Sequence, residues 1–308
     1  MVEIPEGFVA ARLRENGVAG REFVEGLPAR AAGFLERWEL RRTGPGMYGA
    51  TALVLPVERA DGTPAALKLL VPDEESEGEP LALRTWAGRG CVELWEHDVP
   101  TGTLLLERLD EGRHLSELAE RDSRAAVGVI GELLGRLTSV PAPEGLRGLD
   151  GIVARMLDGA PGAAALLADP LERRLLSDCA AAVAEVAAEP GDRLLHWDLH
   201  FDNVLAGGRG GAGGTGGREP WLAIDPKPLA GDPGFELLPS IVNNFRAEEV
   251  RWRFDLLTEV IGLDRERARA WTLGRVLQNC LWEVEDGEDE LPEREVLVAR
   301  SLLGRGEG

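Results

Sequence analysis

The segment LLHWDLHFDNVLAG, residues 194–207, sets one tryptophan, two histidines, two aspartates and an asparagine between apolar flanks. Asp198 and Asn203 stand five positions apart, and the next marked carboxylate, Asp225, ends the short apolar run WLAID. Between them lies GGRGGAGGTGG, Gly207–Gly217, which cannot hold a regular element because glycine has the most backbone freedom to lose. The motif strand, the glycine run and WLAIDP together predict a hairpin with an expanded, mobile tip that takes no part in chemistry. A hairpin of this kind brings Asn203 and Asp225 to one end.

That set of oxygens suits phosphoryl transfer. The reaction needs alignment, a carboxylate to orient the attacking hydroxyl, and a cation to neutralise phosphate charge. Mg2+ takes hard oxygen ligands, which the Asn203 amide and the Asp225 carboxylate supply. Asp198 is then left to accept the proton of the acceptor hydroxyl. The bland reading of the same residues is a set of caps and turns, since Asp and Asn are common in loops. His200 either contacts phosphate or completes the hydrogen bonding of the loop, and Trp197 is expected in the core.

Upstream, the pattern is strand-like. Apolar runs at Leu53–Val57 and Ala65–Val71 flank RADGTP, whose Asp-Gly is a hairpin signal. CVELWEHD and GTLLLERL predict two further strands, and a helical segment near residues 73–88 interrupts the sheet. Lys68 stands alone among apolar residues in AALKLL, where an unpaired ammonium is costly and a nucleotide phosphate is a fitting partner. Gly44, Gly46 and Gly49 in GPGMYGAT precede the first strong strand, where backbone N–H groups can cover phosphates. The bland readings are an ordinary turn and a lysine facing water. LLLERL leads out of the sheet, and the backbone near Glu107 and Leu109 is expected to bond adenine. Before this sheet, FVEGLPARAAGFLERWEL has helical spacing, and beyond residue 115 the chain turns mostly helical. The domains expected are a sheet-rich N-terminal lobe, 1–107, and a helical C-terminal lobe, 108–308.

Composition narrows the partners. The chain has 308 residues, 44% of them hydrophobic, and a formal net charge of −20. This charge repels nucleic acid and anionic membranes and attracts cations. Cys91, Cys179 and Cys280 show no metal or disulfide spacing and read as small buried hydrophobes in a reducing, cytoplasmic setting. No apolar run is long enough to cross a bilayer. There is no GxxxxGK[ST], HExxH or GxSxG. Oligomeric state is not legible; a monomer suffices for these roles.

Residues 41–286 resemble the aminoglycoside phosphotransferase family, which shares the protein-kinase-like fold. HWDLHFDNVL is similar to that family's catalytic loop, with His-x-Asp where protein kinases have His-Arg-Asp. IDP stands where protein kinases carry Asp-Phe-Gly, and GDPGFELLP resembles the segment after it. That segment usually ends in Asp-Leu-Ala; here it reads Phe235-Glu236-Leu237. RWEL, ADGTPAALKL, LLERLD, EPGDRLLHWDLH, EPWLAIDP and LQNCLWEVEDG resemble, in order and spacing, the subgroup of streptomycin 6-phosphotransferases and hydroxyurea phosphotransferases.

The resemblance implies an α+β, bilobal, protein-kinase-like fold, ATP and Mg2+ as cofactors, and transfer of the γ-phosphoryl group to a small-molecule hydroxyl. Streptomycin at position 6 comes first as acceptor, giving antibiotic resistance, with hydroxyurea or another small alcohol as the alternative. A silent nucleotide-binding regulator is a further reading, which intact Lys68, Asp198, Asn203 and Asp225 oppose. The family pairs its strand lysine with a glutamate on the next helix. Glu79 has the better spacing, but Pro80 comes directly after it, so Glu75 in a broken helix stays open. A cationic aminoglycoside calls for carboxylates. Asn279, Trp282, Glu283 and Asp286 share a helical face, with Asp232 and Glu236 as further candidates; a solvated acidic face is the bland alternative.

Overall fold

A computed structural model describes residues 4–49, 51–70, 73–208 and 220–304, with the side chains of residues 15–19 excluded. The chain opens with helix α1 (Glu6–Arg37), then strands β1 (Arg41–Arg42), β2 (Met47–Tyr48), β3 (Ala52–Glu58) and β4 (Pro64–Leu70). Helix α2 (Glu79–Trp86) precedes β5 (Leu94–Asp98), β6 (Thr103–Glu107) and β7 (Asp110–His114). Four helices come next: α3 (Leu115–Arg121), α4 (Ser123–Leu137), α5 (Leu149–Leu166) and α6 (Pro170–Val186). They lead to β8 (Arg193–Leu195), β9 (Val204–Ala206), β10 (Trp221–Ala223) and β11 (Leu229–Gly231). The chain ends with α7 (Leu238–Val242), α8 (Val250–Ile261), α9 (Arg265–Glu285) and α10 (Glu293–Leu302). Among the described residues two compact units result: one runs to Glu111 and takes in Gly207, Gly208 and Pro220, the other comprises residues 112–206 and 221–304.

In the first unit the strands form one antiparallel sheet in the order β1-β3-β4-β6-β5, with β2 sharing the β1 edge of β3. Strand alternation decides its faces. Leu53, Leu55 and Val57 lie opposite Leu69, Leu67 and Ala65, and all six are buried with Phe8, Leu27, Ala31 and Phe34 of α1. A period of two must then put Lys68, paired with Val54, on the other face. The helical spacing seen before the sheet is one 32-residue helix that continues through Pro28. Arg37 ties its end to Asp98 at 2.7 Å, and Arg30 bonds Thr103. The Asp-Gly turn forms as expected: Gly62 has φ +84° and Thr63 N–H donates to Asp61 Oδ1. The expected strand ends at Leu70, and Val71 lies outside the described residues.

The second unit is mainly helical, with α4 packed on α8 and α6 on both α5 and α9. Small residues mark the crossings. A Cβ on Gly131 of α4 would lie 3.0 Å from Val260 of α8, and one on Gly274 of α9 would lie 2.7 Å from Val183 of α6. Helix α5 escapes the sequence pattern because LDGIVARMLDGAPGAAAL is interrupted by glycines and Pro161. The predicted hairpin is present: β9 and β10 are antiparallel, with Val204 opposite Ala223 and Ala206 opposite Trp221. Its glycine tip, 209–217, lies outside the described residues. The three cysteines are buried, and no helix among the described residues is long and apolar enough to cross a membrane.

The segment Asp232–Glu236 is seated against α9 by Gly234, where an added Cβ would lie 2.8 Å from the Ala268 Cα. Backbone cannot retreat as a flexible side chain can, so Gly234→Ala is expected to lower stability by about 1–3 kcal/mol. Denaturant unfolding checks this, and an unchanged midpoint would refute the close packing.

Candidate active site

The HWDLHFDN loop is built between two short pairings. Strand β8 delivers it and pairs with β11, Leu195 opposite Leu229. Strand β9 leaves it, and Ile224 N–H donates to Asn203 O at 2.9 Å, which sets Asp225 beside the loop. His196 is fully buried, and its Nε2 lies 3.1 Å from Ile224 O. A carbonyl only accepts, so Nε2 carries the proton. Burial lowers the His196 pKa to about 4, so the ring is neutral.

Trp197 turns the chain with φ +73°, the left-handed region that non-glycine residues seldom occupy. Three contacts hold it there. Its N–H donates to Glu236 Oε1 at 2.7 Å, its ring lies 5.4 Å from that of Phe235, and the Arg275 guanidinium stacks over it at 3.9 Å. Trp197 is thus in the core, as expected. Asp198 comes next, about a quarter exposed, with Oδ2 3.0 Å from Lys227 Nζ. Asn203 Nδ2 donates to Asp198 O at 2.9 Å, which turns the amide so that its oxygen remains to meet a cation. His200 Nδ1 accepts from Asp202 N–H at 3.3 Å, within the loop, and His200 also lines a depression next to Asp198.

The chemistry of these side chains fits Mg2+. The Asn203 amide oxygen and the Asp225 carboxylate are hard ligands of the kind the ion prefers. Among the described residues no group of three His, Cys, Asp or Glu side chains could hold a metal unaided. An ion at Asn203 and Asp225 would therefore draw its remaining ligands from phosphate and water.

The depression, about 360 Å3, is walled by Asp198, His200, Leu238, Asn243, Arg275, Asn279 and Arg294 among others. One wall depends on Arg253, which is buried and donates to the carbonyls of Ser240, Ile241, Asn243 and Asn244 at 2.8–3.1 Å. Glu249 pairs with it at 2.7 Å. Of the residues expected to meet substrate, Asn279 lines this depression. Asp232 instead caps Gly234 N–H and pairs with Arg267 at 2.7 Å, and Glu236 is buried under Trp197. Trp282, Glu283 and Asp286 are exposed and are not among its lining residues. Sequence reading treated acidity as the signal for a cation pocket, but carboxylates also cap turns and pair with arginines.

In the first unit, Lys68 Nζ lies 2.7 Å from both Glu79 oxygens, with both side chains almost fully buried. Glu79 is the first residue of α2, with Pro80 at the next position, where proline suits a helix. This resolves the choice between Glu79 and Glu75. Glu107 ends β6 and its N–H donates to Glu93 O at 2.9 Å; Leu109 is buried in the short link from β6 to β7. The GPGMYGAT segment forms β2 and the start of a hairpin with β3, Tyr48 opposite Leu53.

Sequence reading missed Lys227 and Arg275. The signal for the first was available: Lys68 and Lys227 are the two lysines among 34 basic residues. Arg275 sits in the apolar face of α9, where an arginine needs an aromatic or anionic partner.

A family model described as aminoglycoside/hydroxyurea antibiotic resistance kinase matches residues 37–287. The chain belongs to this family of small-molecule kinases. It is 74% identical over 305 residues to a hydroxyurea phosphotransferase of Kitasatospora aureofaciens, covering 99% of this chain and 87% of that protein. It is 51% identical to a streptomycin 6-kinase of Streptomyces glaucescens, covering 99% and 98%. Among solved structures it is similar to an aminoglycoside phosphotransferase in ternary complex with ADP and hygromycin B (TM-score 0.59, 15% identity, 90% and 98% covered). A choline/ethanolamine kinase family protein of Mesorhizobium loti is similar too (TM-score 0.60, 18% identity, 91% and 95% covered). The fold is therefore the α+β protein-kinase-like fold anticipated from HWDLHFDN and IDP.

Both buried acids can be tested by replacing the carboxyl with its amide. Glu79→Gln takes the counterion's charge away from the buried Lys68 ammonium and is expected to lower stability by about 3 kcal/mol or more; Lys68→Met combined with Glu79→Leu recovers most of that loss. Equal loss in single and double variants would contradict the pairing. Burial pushes the Glu236 carboxyl from 4.5 up to about 7. The folded protein therefore keeps a proton that the unfolded chain has released. The contribution of this group is full below its unfolded value and is lost as pH rises through about 7. From about pH 5 to about pH 8 the wild type should lose up to about 3 kcal/mol relative to Glu236→Gln, whose amide oxygen still accepts from Trp197. Paired denaturation curves that stay parallel over this range would refute the assignment.

Proposed function

We propose that this kinase transfers the γ-phosphoryl group of ATP, with Mg2+, to the hydroxyl of a small antibiotic, hydroxyurea first and the 6-hydroxyl of streptomycin second. The observation that carries the reading is the loop geometry. Asp198 presents a carboxylate into a polar depression, while Asn203 and the neighbouring Asp225 offer hard oxygens beside it. In this reading Asp198 Oδ1 orients the acceptor hydroxyl and takes its proton. Asn203 and Asp225 hold the cation, which neutralises phosphate charge. Lys68, fixed by Glu79, contacts the nucleotide phosphates, and the backbone at Glu107 and Leu109 serves adenine.

The order of acceptors rests on two supports. The relative at 74% identity is named a hydroxyurea phosphotransferase. The depression also carries Arg275 and Arg294 beside Asn243, Asn244 and Asn279. Amide and guanidinium donors suit a neutral urea carbonyl and repel the guanidino groups of streptomycin. The second reading is supported by relatives named streptomycin 6-kinase at 51% and 48% identity.

Purified enzyme with ATP and Mg2+ is expected to add the mass of one phosphate to hydroxyurea, and less efficiently to streptomycin. Asp198→Asn should lower kcat by about 10²–10⁴-fold with unchanged thermal unfolding. An enzyme that leaves both compounds untouched while phosphorylating another alcohol would sink the acceptor assignment. An active Asp198→Asn would sink the assigned base.

A further inference from the structure

Lys227 has a chemistry that the roles above do not use. Of the 34 basic residues in the chain all but Lys68 and Lys227 are arginine, so lysine at this position is an exception to the chain's own composition. The two residue types are not equivalent: arginine is a planar fork, lysine a compact charge with three rotatable donors on a flexible stem. Lys68, the other lysine, is the one proposed to meet phosphate.

The backbone around Lys227 is tightly constrained. Lys227 lies between Pro226 and Pro228 in IDPKP, and the ring of Pro228 restricts the dihedral angles of the lysine before it. Its N–H donates to His196 O at 3.0 Å, and its carbonyl accepts from Arg147 Nη2 at 3.2 Å. The loop that carries Asp225 is thereby stitched to the loop that carries Asp198. From this fixed base the ammonium reaches Asp198 Oδ2 at 3.0 Å. Both side chains are about a quarter exposed, so the pair is open to a ligand. An ion pair this exposed adds little to stability. Its value lies elsewhere.

A carboxylate facing a phosphoryl group in transit meets a like charge. An ammonium on the far oxygen of that carboxylate offsets the repulsion and, as a rotatable donor of three protons, can also hydrogen-bond a phosphoryl oxygen. We propose that Lys227 is a catalytic residue of the phosphoryl transfer. It holds Asp198 by Oδ2, leaves Oδ1 to the acceptor hydroxyl, and donates a hydrogen bond to the phosphoryl group as it passes. The step balances without any change at Lys227. The acceptor O–H bond breaks and its proton goes to Asp198 Oδ1; the acceptor oxygen bonds phosphorus; the bond from phosphorus to the ADP oxygen breaks. Lys227 stays protonated throughout. This inference rests on the assignment of Asp198 as the base.

The test compares Lys227→Met, Lys227→Arg and Asp198→Asn in the full chain, with hydroxyurea, streptomycin or, failing both, water as acceptor. Lys227→Met is expected to lower kcat by about 100- to 1,000-fold. The KM values for ATP and acceptor and the thermal midpoint stay near wild type. Lys227→Arg recovers only part of the rate, because a fork cannot serve both oxygens from the same place. Calorimetry with ADP alone and with ADP plus aluminium fluoride separates contact from architecture. Lys227→Met should weaken the fluoride complex by a factor close to its loss in kcat and leave ADP binding unchanged. A Lys227→Met enzyme with kcat near or above wild type, or one that loses ADP binding and thermal stability together, overturns the proposal. Asp198→Asn activity near wild type overturns the base assignment first, and that outcome is read independently of the Lys227 variants.

Discussion

A buried carboxylate underlies the geometry of the second unit. Glu236 reaches under the HWDLHFDN loop and accepts the Trp197 N–H, at a residue held with φ +73°. A left-handed tryptophan persists only where its surroundings over-determine it. Here the Glu236 oxygen, the Phe235 ring and the Arg275 guanidinium do so from three directions. The turn points Asp198 outward in the next residue, while His196, in the residue before, is drawn inward to Ile224. One backbone reversal thus separates a neutral core histidine from a carboxylate at the surface of a depression.

The first unit shows the same logic with a different cost. Lys68 falls on the face of β4 opposite α1 because its neighbours Leu67 and Leu69 belong to the core around that helix. Strand alternation leaves it no other choice, and burial then demands a counterion. Glu79 meets that demand from the first turn of α2, with Pro80 starting the helix where no N–H is needed. A buried ion pair is weak support for stability and good support for position, since neither partner can move without exposing the other to an apolar surrounding.

The legible and the hidden parts of this fold divide along physical lines. Asp-Gly between two alternating runs, HxD with an asparagine five residues on, and a strand ending in Asp are local patterns, so the hairpins and the loop were readable. Helix α5 was not, because its glycines and Pro161 contradict local propensity and tertiary packing overrides them. The acidic residues were misleading for a related reason. Asp232 and Glu236 carry the same side-chain chemistry as a cation site, but Gly234 N–H, Arg267 and the Trp197 N–H are the partners that use it. Which carboxylate meets a ligand and which meets the backbone is a property of long-range contacts, and spacing does not encode it.

Charge makes the same point at the scale of the molecule. A chain with a net charge of −20 sets up an acidic field that favours cations and opposes polyanions. The field is set by many exposed side chains and is screened over about 8–10 Å at ordinary salt. Lys68, Lys227, Arg275 and Arg294 are each held by a short contact: a glutamate at 2.7 Å, an aspartate at 3.0 Å, a tryptophan ring at 3.9 Å, and Glu295 at 3.3 Å. The partners of Lys68, Lys227 and Arg294 lie well inside the screening length, so each cation is set by its own contact and not by the distant carboxylates. An acidic surface is therefore compatible with buried or half-buried cations in each unit. A variant that neutralised several exposed glutamates would change solubility and long-range attraction far more than it changed these short contacts.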